Sequence, residues 1–304
     1  MLARGDFMWT VPQVLDETAL RRCVCGLRDQ FSFLTVGSIG RSRAGRPIFS
    51  LSLGRGEKCV LLCGGFHGSE WLTSLLLLRF CEELCRSLRA GRMLCGADVA
   101  SCLARREILL VPCVNPDGAE IFLHGPQAAG RYETLVRAVW DAHTLWNANA
   151  AGVDINHNFD AGWKTLRRTE RENGIVGPAP RRYGGESAES EPETRAVCDL
   201  CRKKRPLHAL AFHSQGEEIF WRYGKTDPPR AEALLHIFVS ASAYAPAENA
   251  GLYAHGGFKD WFIESFCRPA FTVEIGKGSN PLPLGDFENI WERLREMLTL
   301  AAVL

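Results

Sequence analysis

The chain has 304 residues, 46% of them hydrophobic, and its 36 Lys and Arg nearly balance its 35 Asp and Glu for a net charge of +1. A balance this even produces no whole-protein field that would attract nucleic acid or an anionic membrane, so neither is expected as a partner. Apolar stretches such as residues 75–78 are far shorter than the roughly 20 residues of a membrane span, and the N-terminus lacks the apolar core of a signal peptide, so we expect a cytoplasmic protein.

Apolar runs alternate along the chain with longer amphipathic segments, a pattern that predicts α/β construction. No linker or change of composition marks a boundary, so one domain is expected. Strands are predicted at residues 48–53, 58–63, 107–111, 207–212 and within 269–275, and helices at 71–89, 190–204, 231–244 and 286–304.

Three local signals complete this description. Residues 115–118 read Asn-Pro-Asp-Gly and predict a turn after the third strand. Ser190 and Glu193 have the spacing of a capping box at the start of a helix. Residues 146–185 show little periodicity and predict a long loop, and a loop of this length inside a compact domain is usually functional.

Twelve cysteines are scattered through hydrophobic segments. This distribution predicts reduced, buried thiols rather than a disulfide framework, as in a cytosolic protein. Cys198 and Cys201 form a CxxC pair, but no second pair and no histidine lies near them in the sequence. We therefore expect no structural zinc at this pair.

Polar residues follow three of the predicted strands. His67 and Glu70 come after the strand at 58–63, His213 ends the strand at 207–212, and Glu274 lies near the end of the last strand. In open α/β sheets ligands bind at the carboxyl ends of strands. His67 and Glu70 taken alone also fit a hydrogen-bonded loop histidine and a carboxylate that stabilises a helix start.

Together these residues have the composition of a catalytic zinc site. His67, Glu70 and His213 supply two nitrogens and one oxygen, which leaves a fourth position for water on tetrahedral Zn²⁺. The HExxH signature is absent, so Glu70 is expected to be a ligand and the general base must lie elsewhere. Glu274 is the candidate, because a carboxylate in an apolar strand needs a charged partner or a function.

From about residue 36 to the C-terminus, the chain resembles the zinc carboxypeptidase family. The segments that carry the resemblance occur in the family's order: IGRSRAGRP (39–47), GGFHGSE (64–70), VNPDG (114–118), GVDIN (152–156), HS (213–214), GGFKDW (256–261) and FTVEI (271–275). The resemblance implies a single α/β domain with a mixed, mostly parallel sheet of about eight strands flanked by helices. Residues 36–304 would form the catalytic domain, with residues 1–35 packed on it.

The same resemblance implies roles for the four polar residues at the strand ends. His67, Glu70 and His213 would hold one Zn²⁺ per chain, and Glu274 would be the general base. Zinc lowers the pKa of water and polarises the scissile carbonyl, while the base takes the proton of the attacking water and hands it to the leaving amine.

The chain departs from the family in its arginines. Family exopeptidases bind the substrate's terminal carboxylate with an Asn-Arg pair, and here Asn156 is followed by His157. A bidentate guanidinium is lost at that position. The arginine that polarises the scissile carbonyl is also missing, and Asn147, Arg131 or Arg137 could take its role. Trimming of ordinary C-termini is therefore not expected.

Two further positions bear on the substrate. Leu252 stands where the family has a tyrosine, with Tyr253 beside it as a candidate for the catalytic role. Lys259 occupies the position at the base of the pocket for the residue after the cleaved bond, and an ammonium there favours a side chain that ends in a carboxylate. The alternative is a solvated lysine paired with Asp260.

Diaminopimelate has such a side chain, and the chain resembles the family branch that hydrolyses the γ-D-glutamyl–meso-diaminopimelate bond. This resemblance implies a bacterial, cytoplasmic enzyme of cell-wall recycling whose partner is a murein stem peptide. Gln215, with Glu217 and Glu218, is a candidate for contacts with the D-glutamyl residue. The alternatives are a carboxypeptidase that releases acidic C-terminal residues, an acyl-amino-acid deacylase and an inactive zinc-binding module.

Overall fold

Eight strands of the described residues form one mixed sheet. The computed structural model describes residues 10–140, 145–248 and 254–304. The strands are β1 (Thr35–Arg41), β2 (Pro47–Leu53), β3 (Lys58–Cys63), β4 (Arg106–Val111), β5 (Ala209–Ser214), β6 (Glu218–Phe220), β7 (Ala245–Ala247) and β8 (Ala270–Ile275). Their order in the sheet is β1-β2-β4-β3-β5-β8-β6-β7.

The described residues also contain ten α-helices. They are α1 (Glu17–Gln30), α2 (Leu72–Arg89), α3 (Val99–Leu103), α4 (Pro116–His124), α5 (Glu133–Val139), α6 (Trp163–Glu172), α7 (Pro192–Lys204), α8 (Ala231–Ser242), α9 (Phe258–Phe266) and α10 (Phe287–Val303). No helix among the described residues is long and apolar enough to cross a membrane.

The centre of the sheet is parallel. β3 pairs in parallel with β4 and with β5, and β5 pairs in parallel with β8. β1, β2 and β6 add antiparallel pairs around this centre. Nearly every residue of β3, β4 and β5 is buried, because strands covered on both faces read as continuous apolar runs. The predicted α/β fold with a mixed, mostly parallel sheet of about eight strands is confirmed.

Two hydrophobic clusters cover the two faces of the sheet. Successive side chains of a strand point to opposite faces, and in β3 Val60 and Leu62 join one cluster while Leu61 joins the other. The first cluster packs under α1, α2, α8 and α10, and the second under α7 and α9. Because α1 contributes buried side chains to the first cluster, this helix packs on the sheet. The division of the chain at residue 35 stays a prediction.

Three local predictions were wrong. Asn115 caps a helix rather than opening a simple turn: its side chain accepts from Gly118 N, and α4 begins at the following proline, as expected for Pro in the first turn. Ser190 forms no capping box, because the helix cap is Glu191 and the Glu193 carboxylate instead accepts from the backbone N–H of Arg43.

The segment at 146–185 is not a continuous loop, since it contains the helix α6. Ten residues form this helix, and most of them are polar. Only two of its residues, Trp163 and Leu166, are apolar, so the segment lacks the apolar run that marks a buried helix. Its few buried side chains include Leu166 and Glu170, and Glu170 belongs to a buried polar network with His157 and Arg167.

All twelve cysteines have free thiols. Cys198 and Cys201 lie buried in α7, and burial raises the pKa of both thiols far above the usual value.

Candidate active site

A glycine-rich loop after β3 carries the first two candidate ligands. His67 precedes a single 3₁₀ turn, Gly68–Glu70, so His67 and Glu70 lie on one short, rigid segment. Gly65 has a φ of +62°, which favours glycine. A Cβ on Gly68 would lie 2.2 Å from the Gly118 carbonyl oxygen, so no larger residue fits there.

The third candidate ligand meets them from the neighbouring strand β5. His213 Nδ1 lies 3.3 Å from His67 Nδ1 and 3.1 Å from Glu70 Oε2. His67 Nδ1 lies 2.8 Å from Glu70 Oε1. The structure therefore brings together the three residues predicted from the sequence as metal ligands. They form one of two groups of possible metal donors among the described residues.

Asp154 orients His67 from behind. Its Oδ1 lies 3.1 Å from His67 Nε2, and its Oδ2 accepts from Arg182 N at 2.8 Å. A carboxylate on one ring nitrogen of a ligating histidine fixes the tautomer that leaves the other nitrogen free to bind a metal. The sequence analysis did not identify this role, although Asp154 lies in the GVDIN segment; an aspartate two residues before Asn156 was the available signal.

A second group of contacts holds Glu70. Glu70 Oε2 accepts from Ser214 N at 3.2 Å, and Glu70 Oε1 accepts from Asn280 Nδ2 at 3.4 Å. Asn280 Nδ2 also donates to Ser214 O at 2.6 Å. Asn280 is 210 positions from Glu70, so no local pattern could have indicated this contact.

The pKa directions follow from these contacts. Burial lowers the pKa of His67, but the Glu70 and Asp154 carboxylates outweigh burial and raise that pKa well above its usual value. Burial opposes ionisation of Glu70, but the two imidazoles bring its pKa down to about 2. Burial lowers the pKa of His213, so this imidazole is neutral at pH 7.

This donor set fits Zn²⁺. Two imidazole Nδ1 atoms and both carboxylate oxygens of Glu70 converge on one point, and the buried His213 Nε2 has no hydrogen-bond partner among the described residues. Histidine nitrogen and carboxylate oxygen are the ligand types of catalytic zinc sites, and three protein ligands leave a position for water. His67, Glu70 and His213 can hold the metal that this chemistry requires.

Glu274 lies beside the three ligands on β8. It pairs with His213 across the parallel strands β5 and β8, so the two side chains share one face of the sheet. Burial, and next the nearby Glu70 carboxylate, raise the pKa of Glu274 well above its usual value. A carboxylate with a raised pKa next to a metal site is suited to proton transfer near neutral pH.

The histidine that replaces the family's arginine belongs to a buried network. His157 Nδ1 lies 2.9 Å from Glu170 Oε1. The other oxygen of Glu170 pairs with Arg167 and accepts from Gly184 N. Glu170 is fully buried and Arg167 nearly so. One ring nitrogen of His157 is therefore occupied, and Arg167 is tied to the same carboxylate.

The two candidate asparagines lie in the loops around the ligands. Asn147 Oδ1 accepts a hydrogen bond from Ser69 Oγ at 2.6 Å. Ser69 is the residue directly before Glu70 in the chain. Asn156 Oδ1 accepts from Phe258 N at 3.0 Å, which links its loop to α9. Both side chains are only half-buried.

The remaining candidates lie further out or outside the described residues. Gln215 is exposed, one residue beyond the end of β5. Arg137 pairs with Glu133 on α5, and Arg131 donates to the carbonyl of Arg43. Tyr253, like Leu252, lies outside the described residues.

Lys259 is buried, with 2% of its surface exposed. Its Nζ pairs with Asp260 and donates to the Arg222 carbonyl at 2.7 Å. It is thus no solvated surface lysine, although the pairing with Asp260 that the sequence suggested is present. An ammonium has three N–H donors, so one donor of Lys259 remains beyond these two contacts.

A second group of possible metal donors comprises Asp16, Glu120 and His124. Asp16 caps α1 by accepting from Ala19 N, and Glu120 accepts from Glu17 N at 2.6 Å. These two carboxylates stabilise the positive end of a helix, which explains their placement without a metal.

Comparison with known proteins identifies the family. The model of the zinc carboxypeptidase family matches residues 26–297, and the chain belongs to this family. It is therefore a metallopeptidase, a hydrolase of the zinc-dependent class. The family predicted from the sequence is confirmed.

Similar proteins include one curated relative and two solved structures. The chain is 34% identical over 284 residues to gamma-D-glutamyl-L-diamino acid endopeptidase 1 of Lysinibacillus sphaericus. The aligned region covers 92% of this chain and 70% of that protein. A structure of bovine thrombin-activatable fibrinolysis inhibitor with tick carboxypeptidase inhibitor matches with a TM-score of 0.74 and 18% identity, covering 96% of this chain and 97% of that one. Murein-tripeptide amidase MpaA of Escherichia coli O157 matches with a TM-score of 0.55 and 22% identity, covering 87% and 91%. The two structures show the shared fold.

Proposed function

We propose that this protein hydrolyses the γ-D-glutamyl–meso-diaminopimelate bond of murein peptides with one Zn²⁺ per chain, held by His67, Glu70 and His213. The observation that carries the proposal is the convergence of these three donors beside Glu274. The identity of 34% with a γ-D-glutamyl-L-diamino acid endopeptidase supports this substrate class.

Glu274 acts as the general base in this proposal. Zinc, when bound, polarises the scissile carbonyl and lowers the pKa of water. Glu274 accepts a proton from the attacking water while the water oxygen bonds to the carbonyl carbon. Glu274 then returns that proton to the amide nitrogen as the C–N bond breaks. Asp154 keeps the His67 ring oriented throughout.

The contacts of His157 support a substrate other than an ordinary C-terminus. An Asn-Arg pair binds a terminal carboxylate through two parallel N–H donors. Here the imidazole of His157 is bound to Glu170, and Arg167 is bound to the same carboxylate. Asn156 remains to bind substrate at this end of the site, and Asn147 can donate a neutral hydrogen bond to the scissile carbonyl.

Lys259 supplies the contact with the diaminopimelate side chain. Burial strengthens the interaction of its ammonium with a carboxylate that reaches it, and the contacts with Asp260 and the Arg222 carbonyl occupy two of its three donors. In this proposal Gln215, which is exposed just beyond the end of β5, contacts the D-glutamyl residue.

The experiment compares two γ-D-glutamyl peptides, one with meso-diaminopimelate and one with lysine after the cleaved bond. Lysine keeps the side-chain amine but lacks its carboxylate, so kcat/KM should be roughly ten- to a hundredfold lower for the lysine peptide, the loss of one hydrogen bond to a charged group. Lys259→Met should remove this preference without abolishing cleavage.

The variant requires a control, because removing one partner of a buried ion pair is strongly destabilising. The double variant Lys259→Met, Asp260→Asn leaves no unpaired buried charge and should show the same loss of preference in a folded protein, verified by circular dichroism. Equal rates on both peptides with the wild-type protein would remove the role of Lys259. If the protein cleaves neither γ-D-glutamyl peptide but releases a C-terminal glutamate from an ordinary peptide, the result would favour a carboxypeptidase for acidic C-termini.

A further inference from the structure

The loop that follows β8 reaches the candidate metal ligands through one side chain, that of Asn280. The loop is anchored on both sides of this residue. Before it, the carbonyl of Gly276 accepts a hydrogen bond from Gly216 N at 2.8 Å. After it, Leu282 is buried in the first hydrophobic cluster. Residues 277–279 are exposed, so Asn280 is the residue of this loop that turns inward between the two anchors.

Asn280 and Ser214 exchange two hydrogen bonds that fix the orientation of the Asn280 amide. Ser214 Oγ donates to Asn280 Oδ1 at 2.7 Å, and Asn280 Nδ2 donates to the Ser214 carbonyl at 2.6 Å. A side-chain amide has an acceptor end and a donor end. Rotation of the amide by 180° would bring Oδ1 against the Ser214 carbonyl oxygen, and neither atom can donate. The NH₂ end is therefore the end that faces Glu70, whose Oε1 accepts from Nδ2 at 3.4 Å.

Each carboxylate oxygen of Glu70 thus has one uncharged donor. Ser214 N donates to Oε2 at 3.2 Å, and Asn280 Nδ2 donates to Oε1. Glu70 is buried, and an ionised carboxylate is costly to bury without such partners. Metal ions bind the ionised form. The first donor belongs to the backbone and remains in any variant, whereas the second depends on a single side chain.

The contacts of Asn280 indicate that it acts on the metal through Glu70. Its acceptor oxygen, the atom with which an asparagine would bind a metal, is already bonded to Ser214 Oγ. Its Nδ2 can only donate. A donor on a ligand carboxylate restrains the rotation of that carboxylate, so less side-chain freedom is lost when the metal binds.

We propose that Asn280 is a positioning residue for the zinc ligand Glu70, and that the hydroxyl of Ser214 acts by orienting the Asn280 amide. This inference rests on the proposed function, because it takes Glu70 as one of the three ligands. It gives the loop after β8 a role in metal affinity, although this loop contributes no ligand.

The test measures zinc dissociation constants by competition with a chromogenic chelator. Asn280→Ala should weaken zinc binding about tenfold. This is the lower end of the range for partners of metal ligands, because 3.4 Å is long for an N–H···O hydrogen bond. At saturating zinc, kcat on the diaminopimelate peptide should change much less than the zinc affinity, since Asn280 acts on the ligand and not on the reacting atoms.

The neighbouring Ser279 provides a matched control, because it is exposed in the same loop. Ser279→Ala should bind zinc with wild-type affinity. If Asn280→Ala also binds zinc with wild-type affinity, the positioning role is refuted, whether or not the variant lowers the Tm of the zinc-free protein.

A second variant tests the role of the hydroxyl. Ser214→Ala should weaken zinc binding less than Asn280→Ala does, because the bond from Asn280 Nδ2 to the Ser214 carbonyl remains. The double variant should bind zinc no more weakly than Asn280→Ala alone, since the hydroxyl acts only through the amide. Additive losses would show two independent structural effects and would refute the proposed pair.

The fate of the proposed function is read from a different variant. If His213→Ala keeps its full zinc content, the three ligands are wrong and both proposals fall. If His213→Ala loses its zinc while Asn280→Ala retains wild-type affinity, the ligand assignment stands and only the role of Asn280 is refuted.

Discussion

Glu274 and Glu218 offer a direct comparison of two carboxylates. They are paired across β8 and β6, but Glu274 is also paired with the ligand His213. Glu274→Gln should keep fold and zinc while kcat falls by about 10²–10⁴-fold, because an amide cannot accept the proton of water. Glu218→Gln should stay within about tenfold of wild type, a barrier change of about 1.4 kcal/mol. Steady-state kinetics on the diaminopimelate peptide measure both variants. A rate for Glu274→Gln within about tenfold of wild type would show that Glu274 has a structural role and is not the base.

Asp154 should matter for metal affinity. Asp154→Ala removes the carboxylate on His67 Nε2, and loss of such a partner typically costs about 10–100-fold in metal affinity. The zinc dissociation constant can be measured by competition with a chromogenic chelator. Asp160→Ala is the control, since Asp160 is an exposed carboxylate in the same loop. Equal affinities for both variants would contradict the role of Asp154.

The contact between β5 and α10 contains a buried histidine that predicts acid sensitivity. His208, just before β5, is fully buried, and its Nε2 lies 2.7 Å from the Ala301 carbonyl, while its Nδ1 has no partner among the described residues. Burial, with Arg230 and Arg106 nearby, lowers the pKa of His208 from 6.5 to about 4. The folded state thus keeps this imidazole neutral where the unfolded chain already binds a proton.

The sign of the effect follows from this difference. Between pH 6.5 and about 4 the unfolded chain binds more protons at His208, so the free energy of unfolding decreases as the pH falls through this window. The loss from pH 7 to pH 4.5 should be about 2–3 kcal/mol from this group.

His208→Gln should lose correspondingly less stability, because an amide can still donate to Ala301 but cannot take a proton. Urea unfolding of both proteins at the two pH values, in the presence of a chelator, measures the difference. The chelator removes the contribution of bound zinc. An identical pH dependence in the two proteins would show that His208 does not cause it.

Zinc should stabilise the protein as a whole, because the ligands come from distant parts of the chain. His67 and His213 are 146 positions apart, and they can share a metal only in the folded state. Free zinc at a hundred times its dissociation constant should add about 2.7 kcal/mol to the free energy of unfolding. Thermal unfolding with and without zinc, together with the bound stoichiometry, measures this.

Two histidine variants locate the effect. His213→Ala should lose both the zinc-dependent rise in Tm and the bound metal. His124→Ala, in the second group of possible donors, should keep both, with one zinc per chain. Full zinc content in His213→Ala would refute the ligand assignment.

Local patterns were sufficient for the central strands, and together with the family resemblance they predicted the four residues of the candidate site. Buried strands read as continuous apolar runs, and His67, Glu70, His213 and Glu274 lie at their ends, where parallel strands bring side chains to one edge. Local patterns failed where polar residues build structure. Only two of the ten residues of α6 are apolar, and the Glu193 carboxylate accepts a hydrogen bond from the backbone of a distant arginine.

The contacts that complete the site were decided by the tertiary structure. Asp154 meets His67 across 87 positions and Asn280 meets Glu70 across 210, and a sequence pattern does not specify pairings between such distant side chains. The burial of Lys259 beside Asp260 and the hydrogen bond from Arg182 N to Asp154 also depend on how loops pack. The sequence alone determined the fold, because strands and helices follow from local hydrophobicity, and its family resemblance with the chemistry of the residues indicated the candidate ligands and base. The orientation of those groups required the folded molecule, because it arises from hydrogen bonds between segments that only folding brings together.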